Sequence, residues 1–263
     1  MLCYSKLIDM NMKHNNEQQD RFFRFINKHS CNGKLKLINM GLAKEGVKTL
    51  KDLLLRPNCK IKRLYLNSNK IGDDGAKTLS KVLPVNRTLI HISLCSNEIS
   101  PKGCRALFTA IKNSQTLVSF DLSSKERVNR NRIDMASIKH LSEVLQISKF
   151  LSFLDLSLLS LGNKGVAQLC RGLMKSKVIV SLAIQNNELT EECVPTLNHM
   201  ITESSLEHLD LSSNHIGDEG VKVFSDCVRK NKCKLKMIDL ANCRITSIGC
   251  SHLLEALSFN VSC

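Results

Sequence analysis

The chain has 263 residues, 43% of them hydrophobic but only 4% aromatic, with no Trp. A formal charge of +14 attracts acidic proteins, nucleic acid or anionic surfaces without choosing among them. The twelve cysteines are scattered, with no Cys-x-x-Cys pair, which excludes the usual zinc spacings, and no run approaches the ~20 apolar residues of a membrane-spanning helix.

Residues 1–31 mix charges and amides with Phe22, Phe23, Phe25, Ile26 and His29. Phe22, Phe25, Ile26 and His29 share one helical face, which predicts a helical capping segment for the chain that follows; a helix that docks a partner is the alternative. Lys6, Asp9 and Lys13 interrupt any signal-peptide core. The expected setting is therefore a reducing cytoplasm, with the nucleus left open, where an unpaired Cys serves as a small hydrophobe. The sequons at Asn86 and Asn260 then carry no weight.

From residue 32 to 258 one pattern recurs, Leu-x-x-Leu-x-Leu-x-x-Asn-x-Ile. Its clearest copies are Ile61–Ile71, Leu89–Ile99, Ile179–Leu189 and Leu206–Ile216. Weaker copies are Asn32–Leu42, Leu151–Leu161 and Leu235–Ile245, and one begins at Leu117 and resumes at Asn131 after six extra residues. The eight starts are spaced by 27 to 29 residues, or by 34 across the insertion. In each copy Leu-x-Leu alternates as a short strand does, and the second half adopts helical spacing, as in Ala76, Leu79, Val82 and Leu83. Ser100-Pro101 is an N-cap followed by Pro at the first helical position, with Asp134, Thr190 and Thr246 as polar caps at the matching place. Asp73-Asp74 and Asp218-Glu219 fall in first helical turns, where the macrodipole favours carboxylates, so they are read as helix starts and not as metal ligands.

The recurring Asn69, Asn97, Asn187 and Asn214 are expected to turn inward and hydrogen-bond neighbouring turns. Cys243, Met40 and Leu159 stand in that place in other copies, which predicts an irregular fifth repeat. Cys104 and Cys250 share one helix position and are expected in the core. The insertion, 123–133 (SSKERVNRNRI), carries Lys125, Arg127, Arg130 and Arg132 and forms a loop with binding potential. Residues 259–263 match the first residues of a further copy, so a fragment or a covered end is expected.

This 27–29-residue period, the helical second half and the Asn/Cys ladder resemble the ribonuclease-inhibitor type of leucine-rich repeat. That type occurs in ribonuclease inhibitor, NOD-like receptors, the Ran GTPase-activating protein, and flagellar and cytoskeletal adaptors. The resemblance implies an α/β solenoid, a horseshoe of about eight repeats with a parallel sheet on its concave face and helices on its convex face. It implies an architecture and no particular partner.

Side chains between the strand leucines should face the concavity in two rows. One row is Lys34, Arg63, His91, Ser119, Phe153, Ser181, His208 and Met237, and the other is Lys36, Tyr65, Ser93, Asp121, Asp155, Ala183, Asp210 and Asp239. The candidate binding residues are Lys34, Lys36, Arg63, Tyr65, His91, Asp121, Phe153, Asp155, His208, Asp210 and Asp239. The rows start basic and end acidic, which disfavours a nucleic-acid groove, because phosphate binding wants a continuous basic track. Asp after a strand residue is also a plain repeat feature.

No Gly-rich phosphate loop, His-Glu-x-x-His or other catalytic constellation is present, the His residues are dispersed, and no metal or cofactor is expected. The leading expectation is a non-catalytic scaffold that binds a protein through the concave face and the insertion. GTPase activation, with Arg130 or Arg132 supplied in trans, is the enzymatic alternative. Binding of nucleic acid or anionic surfaces by the basic exterior is the third.

Overall fold

The computed structural model describes residues 24–26, 30–229 and 234–258. The chain divides into two compact units, the first ending at Ser137 and the second beginning at Ile138.

The first unit opens with a hairpin. β1 (Ser30–Cys31) pairs antiparallel with β2 (Lys34–Lys36) across Asn32 and Gly33, which have φ of 51° and 74°. Asn-Gly with both residues left-handed is the two-residue turn whose twist suits a hairpin. Of the predicted capping segment, residues 24–26 are helical with Ile26 1% exposed, and Ser30 and Cys31 are strand. Phe22, Phe23 and His29 lie outside the described residues, as do residues 259–263.

From β2 onward the unit alternates strand and helix: α1 (Lys44–Leu54), β3 (Arg63–Tyr65), α2 (Gly72–Val82), β4 (His91–Ser93), α3 (Pro101–Asn113) and β5 (Ser119–Asp121). β2, β3, β4 and β5 are parallel and in register. Parallel neighbours require a crossover, which each helix supplies. α4 (Met135–Ile147) spans the division between the units. The second unit continues with β6 (Phe153–Asp155), α5 (Gly162–Leu173), β7 (Ser181–Ala183), a 3₁₀ turn (Glu191–Cys193), α6 (Val194–Glu203), β8 (His208–Asp210), α7 (Gly217–Arg229), β9 (Met237–Asp239) and α8 (Ser247–Ser258). Its strands β6 to β9 are likewise parallel.

The core lies between the sheet and the helices of each unit. The central strand residues Leu35, Leu64, Ile92 and Phe120, and Leu154, Leu182 and Leu209, are buried. Helix residues such as Leu50, Leu79 and Leu107, or Leu169, Leu197 and Phe224, are buried with them, each worth roughly 1.5–3 kcal/mol on burial. Phe108 and Phe120 meet edge to face at 6.4 Å, the favoured geometry of an aromatic pair.

The fifth repeat is regular, contrary to the expectation drawn from Leu159. β6 pairs in register with β7, α5 follows, and Leu159 is buried with its N–H donating to Asn187 Oδ1 at 3.0 Å. The ladder amide that serves this turn comes from Asn187 of the next repeat, which also bonds Leu161 N and Leu156 O, so the turn forms with a hydrophobe at this position. Cys104 is fully buried but Cys250 is exposed, which corrects its expected place in the core. On α8 itself Ile248, Leu254 and Leu257 are exposed too.

Candidate functional site

The ladder and the caps that hold the turns position the open face of each sheet. Asn69 Oδ1 accepts from the N–H groups of Met40 (2.9 Å) and Leu42 (3.0 Å), while its amide donates to Leu37 O and Leu66 O, both at 2.7 Å. Asn187 and Asn214 do the same for the repeats before them. Cys243 Sγ stands in by donating to Leu211 O at 3.2 Å. Asn131 plays the same part: its Oδ1 accepts from Asn97 N (3.0 Å) and Ile99 N (3.1 Å). Its alignment with the other asparagines was visible, but the insertion before it hid its role. Asn97 differs, since its Oδ1 is buried without a donor.

The first-turn acids also act outside their own helices. Asp73 Oδ1 accepts from Ser100 N (2.9 Å) and Gly103 N (3.0 Å), and Asp218 Oδ1 from Thr246 N (2.8 Å) and Gly249 N (3.1 Å). Asn163 Oδ1 takes Thr190 N at 3.0 Å in the same manner. Each therefore caps the start of the helix in the following repeat, satisfying N–H groups that a helix terminus leaves open. The Thr246 hydroxyl and N–H and the Gly249 N–H hold the Asp218 carboxyl below its ordinary value.

The open face carries both sequence-predicted rows. In the first unit Lys34, Arg63, His91 and Ser119 lie side by side, as do Lys36, Tyr65, Ser93 and Asp121. In the second, Phe153, Ser181, His208 and Met237 form one row and Asp155, Ala183, Asp210 and Asp239 the other. Phe153 and Met237 are 45% and 62% exposed.

The aspartates have structural work. Asp121 Oδ1 accepts from Ser123 N (2.9 Å) and its hydroxyl (2.6 Å), and Asp210 from Ser212 in the same way at the same distances. Asp155 takes Ser157 N and Asp239 takes Ala241 N, each at 2.9 Å. An Asp that bonds the backbone two residues on makes a local turn, so the acidic row ends each strand. Asp121 also accepts a hydrogen bond from the Ser93 hydroxyl.

Lys36, Tyr65 and His91 pack in series, with the two rings tilted by 44°. Lys36 Nζ is 5.7 Å from the Tyr65 ring centre, the Tyr65 and His91 rings are 4.7 Å apart, and His91 Nδ1 lies 2.8 Å from Ser119 Oγ. His91 Nε2 is buried without a partner. Burial pushes His91 below its ordinary value of 6.5, Arg63 adding to the shift and Asp121 opposing it. The unfolded chain therefore takes up this proton first, and stability declines as pH falls from 6.5 toward the folded value, with no contribution above. His91→Gln removes that share: its melting temperature should drop less between pH 7.5 and 5.5 than that of the parent, and equal drops would refute the assignment.

The insertion is a fold-back and not an open loop. Lys125 and Val128 form an antiparallel bridge, Lys125 N donates to Ser96 Oγ at 2.6 Å, and Asn129 Nδ2 reaches Asn69 O at 2.9 Å. Arg132 N donates to Ile99 O at 2.8 Å. Lys125, Arg127, Arg130 and Arg132 are exposed, on a segment anchored two repeats back.

Nucleophile chemistry finds little here. Burial pushes the Cys104, Cys170 and Cys193 thiols up to about 12, so they act as hydrophobes and not as thiolates. Among the described residues no group of three or more His, Cys, Asp or Glu could hold a metal ion, and no helix is long and apolar enough to cross a membrane. The Asn86 amide is buried and donates to Leu54 O at 2.7 Å.

Short parallel strands, inward asparagines and outer helices recurring at this period make the chain a leucine-rich-repeat protein with an α/β solenoid fold. The family model described as Leucine Rich repeat matches residues 58–80, 85–108 and 203–225. NACHT, LRR and PYD domains-containing protein 3 of Bos taurus is 30% identical over 230 residues, which cover 87% of this chain and 22% of that protein. NACHT, LRR and PYD domains-containing protein 14 of Mus musculus is 31% identical over 245 residues, covering 91% and 24%. The repeats are thus of the NOD-like-receptor type, and the chain spans less than a quarter of the length of these curated relatives. A solved structure of leiomodin-1 actin-binding site 2 is similar at a TM-score of 0.47 and 14% identity, covering 58% of this chain and 86% of that one.

Proposed function

We propose that the chain is a protein–protein interaction module without catalytic chemistry of its own, acting inside the cell, and that partners dock on the open face of its sheets. The observation that carries this reading is the pair of side-chain rows, set in register on strands of three residues. They form an array of Lys, Arg, Tyr, His, Phe and Asp, with the central residues of β2 to β8 turned into the core. Rigid scaffolds that present side chains in fixed positions lower the ordering cost of association. Phe153, half exposed beside small Ser181 and Ala183, is an aromatic anchor of the kind that dominates interface energetics.

The test is proximity labelling in the native cell with the parent chain, Lys36→Glu/Arg63→Glu, Asp155→Asn/Asp210→Asn and Phe153→Ala, after circular dichroism shows all four folded. Asn keeps the acceptor each strand-ending turn needs and removes only the charge. At least one folded protein partner should be lost with an open-face variant. An unchanged set of neighbours in all three would move the site to the basic exterior or the insertion.

A further inference from the structure

The charged side chains on the open face of the first unit are of two kinds. Asp121 is consumed by the Ser123 turn and by the Ser93 hydroxyl. Lys34, Lys36 and Arg63 are exposed, and among the described residues no carboxylate lies within ion-pair distance of any of them. Lys34 and Arg63 are directly paired across β2 and β3, and like charges set opposite each other on neighbouring strands are destabilising. The Lys34–Arg63 pair therefore weakens the free fold, and among the described residues no carboxylate offsets it.

We propose that Lys34, Lys36 and Arg63, which share the paired strands β2 and β3 with Tyr65, form the docking site for an acidic, extended peptide segment of a partner protein. This rests on reading the open face as a protein-binding surface. Lys34 and Lys36 are alternate residues of one strand, about 7 Å apart, and carboxylates on alternate residues of an extended peptide have that same separation. Arg63 sits one strand over, about 4.8 Å away, and can fork onto a carboxylate with two parallel hydrogen bonds. Charge complementarity thus comes with a matching period.

A polynucleotide fits less well. The patch ends two strands on at Asp121, and the Tyr65 ring is already engaged by Lys36 and His91. A base would have to displace one of them to stack.

The experiment is fluorescence anisotropy on the full chain with labelled (Glu-Thr)₅, its neutral counterpart (Gln-Thr)₅, a ten-nucleotide oligo-dT and phosphatidylserine vesicles. (Glu-Thr)₅ should bind, weaken as salt rises, and lose about tenfold or more in affinity with Lys34→Gln/Arg63→Gln, a loss of roughly 1.4 kcal/mol. Lys125→Gln/Arg127→Gln removes the same charge from the insertion and should leave binding unchanged. Absence of (Glu-Thr)₅ binding, an equal loss in both double variants, or preferential capture of oligo-dT or vesicles would each overturn the proposal. If (Glu-Thr)₅ fails but a cellular partner is still lost with Lys36→Glu/Arg63→Glu, the acidic segment is wrong and the protein-binding face stands. If (Glu-Thr)₅ fails and the cellular neighbours are unchanged in all three open-face variants, both fall.

Discussion

Asn131→Ala should lower the unfolding free energy by about 3–5 kcal/mol, because two buried N–H groups lose their acceptor and each unsatisfied group costs about 1–3 kcal/mol. The groups are Asn97 N and Ile99 N, which both point at Asn131 Oδ1. The Asn131 amide also donates to Leu94 O (2.9 Å), Leu122 O (3.0 Å) and Ser123 O (3.0 Å). Asn97→Ala, in the repeat before, should cost about 1 kcal/mol or less, since its Oδ1 already lacks a donor and no acceptor is orphaned. The two carbonyls it serves keep other donors, Leu66 O from Asn69 Nδ2 and Cys95 O from Ser68 N. Urea denaturation of both variants checks the contrast. Equal midpoints would show that the ladder acts by filling space and not by satisfying the turn.

This inequality between like residues marks where reading the sequence stops. The repeat, the side-chain rows and the helix faces were legible because they rest on local periods: alternation within a strand, 3.6 residues within a helix, and 27–29 residues between copies. Asp121-x-Ser123 and Asp210-x-Ser212 were legible too, since the hydrogen bond runs only two residues along the chain. The same local rule strips the acidic row of much of its value as a binding signal, because the turns explain it. Asn32-Gly33 announced a hairpin as plainly. Alignment on the repeat assigned Asn32 to the first consensus position and so concealed it.

Contacts that cross from one repeat to another were not legible. Asp73 and Asp218 read as acids favouring their own helix dipoles, yet their oxygens take up N–H groups 27 to 31 residues away. The insertion read as a free basic loop, whereas Asn129 ties it to Asn69, 60 residues earlier. Nothing in the local pattern distinguishes a polar side chain that reaches solvent from one that reaches the next turn. The basic end of the first sheet was visible as charge. Only the structure separates Lys34, Lys36 and Arg63, which pair with no carboxylate among the described residues, from the aspartates, which hold turns.

Gly172→Ala should destabilise the second unit by about 3 kcal/mol or more, at or above the usual range for overpacking a filled core. On an open helix the same change would stabilise by about 1 kcal/mol through propensity alone, so the sign itself is diagnostic. A Cβ at Gly172 would lie 2.3 Å from Ser142 O and 2.8 Å from Ser142 Cα. These are backbone atoms of α4, so the helices must separate rather than a side chain rotate. The corresponding position is Leu53, Val82, Ala110, Val144, Met200 or Ala256 in six other helices, all buried. Ser142 Oγ also bridges α4 and α5 by donating to Gln168 O at 2.9 Å. Ser142→Ala should therefore fail to rescue Gly172→Ala, because the clashing carbonyl and Cα remain. Gly75→Ala offers the comparison: its near neighbours are the side-chain atoms of Ile71 and Val47, which can shift, and its cost should be smaller. Thermal melts of the three variants decide the matter, and a Gly172→Ala chain as stable as its parent would mean that α4 and α5 approach less closely than their backbones imply.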